Sequence, residues 1–357
     1  MAGRFIAHMG LPKTGTTAIQ EWLVGRADDL AAFGILVPSG VIAANGNARD
    51  LAHALHHTPS DRSPARQSLV DGLRAALATG QDVVISAEYL EKVMFRPALV
   101  ARTAASLRDI GARWDIGVMF LRNTFDLLNS SYAQNVKVGP YPHDFAEFLA
   151  MRRRNRLNEY DRNAAHLRAE GVEIRMAAYR SGDGAMTEAL LALAGLRDRL
   201  PSDFDFTTPR SNESIGALGL LVARRVWRLM QDELLTPPPR MIAELGQIVL
   251  SACAGLQDRP FNGFTPTLRV ATEAHYAPVI STIRADLTPG DYDLLHRSRT
   301  VDLPVSPARI ADLDAADRLQ VRVALDRIAG SVAVNPYLSQ TLPRSFASQL
   351  AGAKQRQ

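Results

Sequence analysis

The stretch Arg4–Leu23, RFIAHMGLPKTGTTAIQEWL, decides how the rest of this sequence is read. Phe5 to Met9 is an apolar run of strand length, Gly10-Leu11-Pro12-Lys13-Thr14-Gly15-Thr16-Thr17 breaks it, and Ala18 to Leu23 continues as a helix. A strand, a glycine turn and a helix N-terminus in succession make a cradle for an oxyanion, because first-turn N–H groups lack helical partners and the helix end is partially positive. Gly10 and Gly15 permit close backbone approach, and the N–H groups of Thr14 to Thr17 are expected to point into the turn. The hydroxyls of Thr16 and Thr17 add donors, and Lys13 brings a mobile positive charge to the same anion. An ordinary turn would use the same residue types. The nucleotide-triphosphate signature does not fit, since it ends in Gly-Lys-Ser/Thr and here Lys13 precedes Gly15.

Composition narrows the class. With 357 residues, 46% of them apolar and 22% charged, the chain can bury a large core and reads as an ordinary globular protein. Its formal charge of +4, from 41 basic and 37 acidic side chains, suits anionic ligands. No long basic tract with interleaved aromatics points to nucleic acid. The densest basic cluster, Arg152, Arg153, Arg154 and Arg156, reads as a solvated face or an acidic-substrate contact. A single cysteine, Cys253, excludes a disulfide framework within the chain and fits a reducing compartment. Neither a signal segment nor a run of membrane-spanning length is apparent, so no integral membrane segment and a cytoplasmic location are expected.

Further along, helical and strand patterns alternate. Strands are expected near Gly34–Pro38, Asp82–Ala87, Asp115–Leu121 and Val172–Ala177, with helices over 68–79, 97–108, 124–137, 144–153, 159–169 and 185–199. That alternation predicts an α/β fold with a mostly parallel sheet flanked by helices, whose strand ends carry the ligand groups. Apolar helices at 215–230 and 242–256 predict a mainly helical C-terminal addition; 278–287, 310–328 and 342–350 read as further helices, and DYDLL, 291–295, as extended. One domain over 1–335 with a C-terminal extension over 336–357 is expected. The segment DLAHALHH brings His53, His56 and His57 as substrate-facing candidates. His53 and His57 have helical spacing but lack the glutamate of the zinc-protease helix, so no metal site is expected.

A second stretch, FLRNTFDLLNSSYAQ over 120–134, places Arg122 at a strand end and Ser130 eight residues later on a helix. A guanidinium and a hydroxyl from neighbouring elements can converge on one phosphate. PKTGTT directly after a strand resembles the 5'-phosphosulfate loop of the sulfotransferases, and the Arg122–Ser130 pair resembles their 3'-phosphate motif. Tyr132 and Gln134 are similar to the bacterial and carbohydrate-directed branch, and ISAEY (85–89), MAAYR (176–180) and RSNES (210–214) continue the likeness more weakly. The resemblance spans roughly the first 215 residues. Ala18 departs from the tryptophan usual in the cytosolic small-molecule branch, and that branch's late nucleotide loop is missing, which leaves the adenine contacts open.

The resemblance implies a P-loop-containing three-layer sandwich and transfer of a sulfuryl group from 3'-phosphoadenosine 5'-phosphosulfate (PAPS) to a hydroxyl or amine. The acceptor it implies is a carbohydrate or glycolipid. Gly10, Pro12, Lys13, Thr14, Gly15, Thr16, Thr17, Arg122 and Ser130 then bind the cofactor, Asn212 or Ser214 closes the nucleotide pocket, and no metal is required. Lys13 and Glu88 are the implied catalytic residues, with the histidine cluster as the other source of a base and His8 as packing or anchoring. A P-loop kinase and a non-catalytic nucleotide-binding protein are the competing readings; the first lacks the Gly-Lys-Ser/Thr ending and a clear strand-ending aspartate for magnesium.

Overall fold

Five parallel strands form one sheet: β1 Phe5–His8, β2 Ile35–Leu36, β3 Asp82–Ser86, β4 Trp114–Leu121 and β5 Glu173–Ala178, in the order β2-β3-β1-β4-β5. The computed structural model describes residues 3–57, 63–155, 160–208, 215–233 and 237–352. The chain divides into two compact units, and the sheet belongs to the first: Met1–Asn123, Asn158–Asn212 and Tyr276–Arg297.

Strand alternation explains why both faces are covered. Phe5, Ala7 and Met9, with Val83, Ile85, Met119 and Leu121, enter one core against helices Arg49–Leu55, Pro64–Ala78, Tyr89–Met94, Pro97–Asp109 and Tyr160–Ala169. Ile6, Val84, Ile116, Val118 and Phe120 enter the other against helices Thr16–Gly25 and Ala185–Leu193. The sheet is therefore a middle layer between helices. Adjacent strands β1 and β3 feed helices on opposite faces, Thr16–Gly25 and Tyr89–Met94. In an open parallel sheet that divergence leaves a crevice at the carboxyl ends, where ligands bind.

At the other end of the strands, buried Asp82 accepts hydrogen bonds from Arg4 Nη2 and Arg199 Nη2, both at 2.7 Å, and from the Arg4 backbone N–H at 2.8 Å. Burial pushes its carboxyl upward, but the Arg4 and Arg199 contacts outweigh this and hold it below the usual carboxylate range. The network ties the sheet's base and leaves the crevice end to the loop.

The second unit, Thr124–Leu157, Glu213–His275 and Ser298–Gln357, is helical throughout its described elements. Helix Thr124–Val138 is anchored there by Trp227, whose Nε1 donates to the Val136 carbonyl at 2.6 Å. Asp126, also buried, accepts from Ser298 Oγ at 2.7 Å and from the Arg299 and Thr300 backbones at 3.0 and 3.1 Å. Cys253 is buried and its thiol is pushed up to about 12 by burial and then by Asp258, so it is an inert packing residue. Helices Leu338–Thr341 and Arg344–Ala351 occupy the expected extension and bury Leu338, Phe346 and Leu350. No helix among the described residues is long and apolar enough to cross a membrane.

Two expectations fail. DYDLL is not extended but lies in helix Pro289–His296, which Thr288 caps by accepting from the Asp291 N–H, with Pro289 in the first turn. Pro278 does not start a helix; it sits inside helix Pro266–Thr282, which begins at another proline.

Candidate active site

The loop after β1 is an extension of the sheet before it is a turn. Beyond the end of β1, the Met9 and Leu11 N–H groups donate to the Val118 and Phe120 carbonyls at 2.9 and 3.3 Å, and Phe120 N–H donates to Gly10 O at 2.9 Å. The chain then turns through left-handed conformations at Gly10 (φ 91°), Lys13 (φ 69°) and Gly15 (φ 81°). Lys13 is the only non-glycine residue with positive φ among the described residues. Such a conformation costs an ordinary side chain about 1–3 kcal/mol and concentrates at ligand-binding turns. Alternating handedness also turns successive N–H groups toward one concave side.

Helix Thr16–Gly25 begins immediately after Gly15, and no side chain caps it. Its first-turn N–H groups are therefore available to a ligand. The Thr14 and Thr16 hydroxyls donate to the Leu11 carbonyl, at 2.5 and 3.3 Å. Thr16 thus braces the loop from within, which differs from the anion donor expected of it; Thr17 is half-buried.

Arg122, one residue past β4, donates from Nη1 to the Lys13 carbonyl at 2.8 Å. Its guanidinium lies 5.2 Å from the centre of the Tyr179 ring. That ring in turn flanks the loop: a Cβ on Gly15 would stand 3.5 Å from it. Tyr179 is placed by β5, its N–H continuing the ladder to the Leu121 carbonyl at 2.6 Å. Loop, arginine and aromatic ring form one constellation, although Lys13 and Arg122 are 109 residues apart in sequence.

Glu88 arrives from the other side. The β1–β3 register pairs His8 with Ser86, and Ala87 N–H donates to His8 O at 2.9 Å. The Glu88 Cα lies 3.8 Å from where a Gly10 Cβ would be. Half-buried Glu88 precedes helix Tyr89–Met94 without capping it by its side chain. His8, fully buried, bonds Ser86 Oγ through Nδ1 at 2.8 Å, while its Nε2 is buried without a partner. Burial drives its pKa down to about 3, so it is a neutral strut between the two strand ends.

The histidine cluster stands on the same strand end. Ala48 N–H donates to Ser86 O at 2.9 Å and sends helix Arg49–Leu55 upward from β3. His53 stacks on Tyr89 with ring centres 3.6 Å apart, and His56 lies 5.6 Å from Tyr89 and 4.6 Å from His57. Burial, then His57, lowers the His56 pKa to about 4; burial, then Arg49 and Arg66, lowers that of His53.

Ser130 is half-buried on helix Thr124–Val138, in the second unit. Asn212, Ser214, Arg156 and the side chains of Arg153 and Arg154 fall outside the described residues. No group of His, Cys, Asp or Glu able to hold a metal occurs among the described residues. Sequence reasoning missed Tyr179 and Tyr89; the only signal was their position just after strands, in MAAYR and ISAEY. Comparison with protein-family models, curated proteins and solved structures gives no match.

Proposed function

We propose that the first unit binds PAPS and that the protein is a sulfotransferase of P-loop type acting on a hydroxyl, with a carbohydrate as the acceptor class. The observation that carries this reading is the bond from Arg122 to the Lys13 carbonyl, which joins the loop after β1 to the arginine of the second stretch. The fit is also supported by the loop itself, which turns left-handed at Gly10, Lys13 and Gly15, with a Cβ at Gly10 standing only 3.3 Å from the Pro12 nitrogen.

PAPS supplies a sulfuryl group on a phosphate leaving oxygen. Around it, the N–H groups of the loop and first helical turn hold the 5'-phosphate side, and Lys13 stabilises charge that accumulates on the leaving oxygen. Arg122 binds the 3'-phosphate through its guanidinium. Glu88 accepts the acceptor's hydroxyl proton as the new S–O bond forms and the old one breaks, giving a sulfate ester and adenosine 3',5'-bisphosphate. Positioning and charge carry the rate, as in phosphoryl transfer.

Incubation with PAPS carrying radiolabelled sulfur and fractionated cell extract tests this directly. Label should enter a carbohydrate fraction without added ATP. Folded Lys13→Ala should lose about two to three decades of turnover, the 3–4 kcal/mol of a directed transition-state donor, whereas a surface lysine is worth under ~1 kcal/mol. Glu88→Gln should keep nucleotide binding and slow transfer. Parental turnover in a folded Lys13→Ala variant contradicts the assignment, as does magnesium-dependent phosphate transfer from ATP in place of sulfation.

A further inference from the structure

The loop, Arg122 and Glu88 serve the donor and the proton, and leave the acceptor without a surface. We propose that His53, His57 and Tyr89 form an aromatic carbohydrate subsite, with a sugar face on the His53 imidazole and a sugar hydroxyl donated to Nε2 of His57. The proposal rests on the sulfotransferase reading for its place in the reaction, and on the geometry of this cluster for its chemistry.

Position is the first support. Tyr89 directly follows Glu88, whose Cα approaches Gly10, and His53 lies one turn up a helix launched from Ser86 at the end of β3. The cluster therefore stands beside the proposed proton acceptor, on the carboxyl-end side of the sheet where ligands bind.

Ring geometry is the second. The His53 and Tyr89 planes are inclined by 26°, so Tyr89 covers one face of the imidazole and fixes its orientation. His53 is nevertheless half-exposed, and neither of its ring nitrogens has a hydrogen-bond partner among the described residues. A fixed, neutral ring with an accessible surface attracts the weakly positive C–H groups on the flat side of a sugar, through the negative potential of its π face.

Proton placement is the third. His57 Nδ1 lies 2.7 Å from the His53 carbonyl oxygen. A carbonyl can only accept, so Nδ1 carries the hydrogen, and in the neutral ring Nε2 holds the lone pair and accepts an O–H. His56 makes the same kind of bond to the Ala52 carbonyl at 3.1 Å, but it is buried, and packs the other rings without reaching a ligand. The groups acting electrostatically on these rings are Arg49, Arg66, Asp50 and the neighbouring histidines themselves. With the lowered pKa values of His53 and His56, those two rings stay uncharged at neutral pH.

Cellobiose is a suitable probe, titrated into the full chain with and without adenosine 3',5'-bisphosphate while the histidine ring ¹H and ¹⁵N resonances are followed. The His53 and His57 signals should move together and saturate. His57→Ala, and His53→Leu, which keeps the packing on Tyr89, should each weaken cellobiose binding at least about fivefold, the equivalent of ~1 kcal/mol, without changing nucleotide affinity. Unmoved rings in a protein that binds the nucleotide overturn the subsite and leave the donor assignment standing. Moving rings in a protein that does not bind the nucleotide uphold the subsite and sink the transferase reading. Unchanged cellobiose affinity in both folded variants also overturns it.

Discussion

Lys13 is held in a left-handed conformation that glycine would occupy with less strain. The backbone turns left-handed at a residue whose side chain is cationic, and its carbonyl is gripped by Arg122. His8 makes a complementary point about proton balance. In the unfolded chain its ring protonates near the ordinary value of about 6.5, whereas in the fold it does so only near 3. The unfolded state therefore binds the extra proton first as pH falls, so the contribution of neutral His8 is fully present above about 6.5 and is lost progressively toward 3. Between pH 7.5 and 5 the expected loss is about 2 kcal/mol from this residue, at 1.36 kcal/mol per pH unit. Urea denaturation at the two pH values checks it: His8→Asn should show a shallower decline than the parent, and identical declines would show that His8 is not the titrating group.

At the scale of elements, the turn before helix Arg49–Leu55 is what fastens the cluster to the sheet. Gly46 has φ 81°, and a Cβ there would come within 2.2 Å of the Gln20 carbonyl oxygen in helix Thr16–Gly25. Gly46→Ala should cost about 3 kcal/mol, from left-handed strain and backbone displacement together. Gly290→Ala, with nothing within 4 Å of its Cβ position, should stay within ~0.5 kcal/mol of the parent in the same unfolding measurement. A Gly46→Ala variant as stable as the parent would mean that the contact is not a fixed joint.

The elements also show what was legible in the sequence. All five strands were: the fully buried β1 and β3 read as the apolar runs FIAH and DVVIS, and the others lie between helical patterns. The turn between β1 and helix Thr16–Gly25 was legible through its glycines and its place between strand and helix. Helix Pro289–His296 was not, because a short DYDLL run has the same apolar spacing in either conformation and its Thr288 cap was overlooked. Helix Pro266–Thr282 was misplaced because Pro278 is tolerated inside it. Tyr179 and Tyr89 escaped for another reason: their partners, Arg122 and His53, are distant in sequence, and only the strand order brings them together.

Over the whole molecule, charge gathers at the two ends of the sheet. The Arg4–Asp82–Arg199 network closes one end, while Lys13, Arg122, Glu88 and the histidine cluster gather at the other, all within the first unit. The helix bearing Ser130 belongs to the second unit. Everything proposed for the reaction depends on Arg122 and the Lys13 loop receiving two phosphates of one nucleotide. The most direct measurement is calorimetric titration of adenosine 3',5'-bisphosphate and adenosine 5'-monophosphate into the parent protein and folded Arg122→Ala. The parent should prefer the bisphosphate by about ten- to a hundredfold, the value of a charge-assisted contact, and Arg122→Ala should abolish that preference while still binding the monophosphate. Equal affinity of the parent for both nucleotides, or a preference that survives Arg122→Ala, would contradict it.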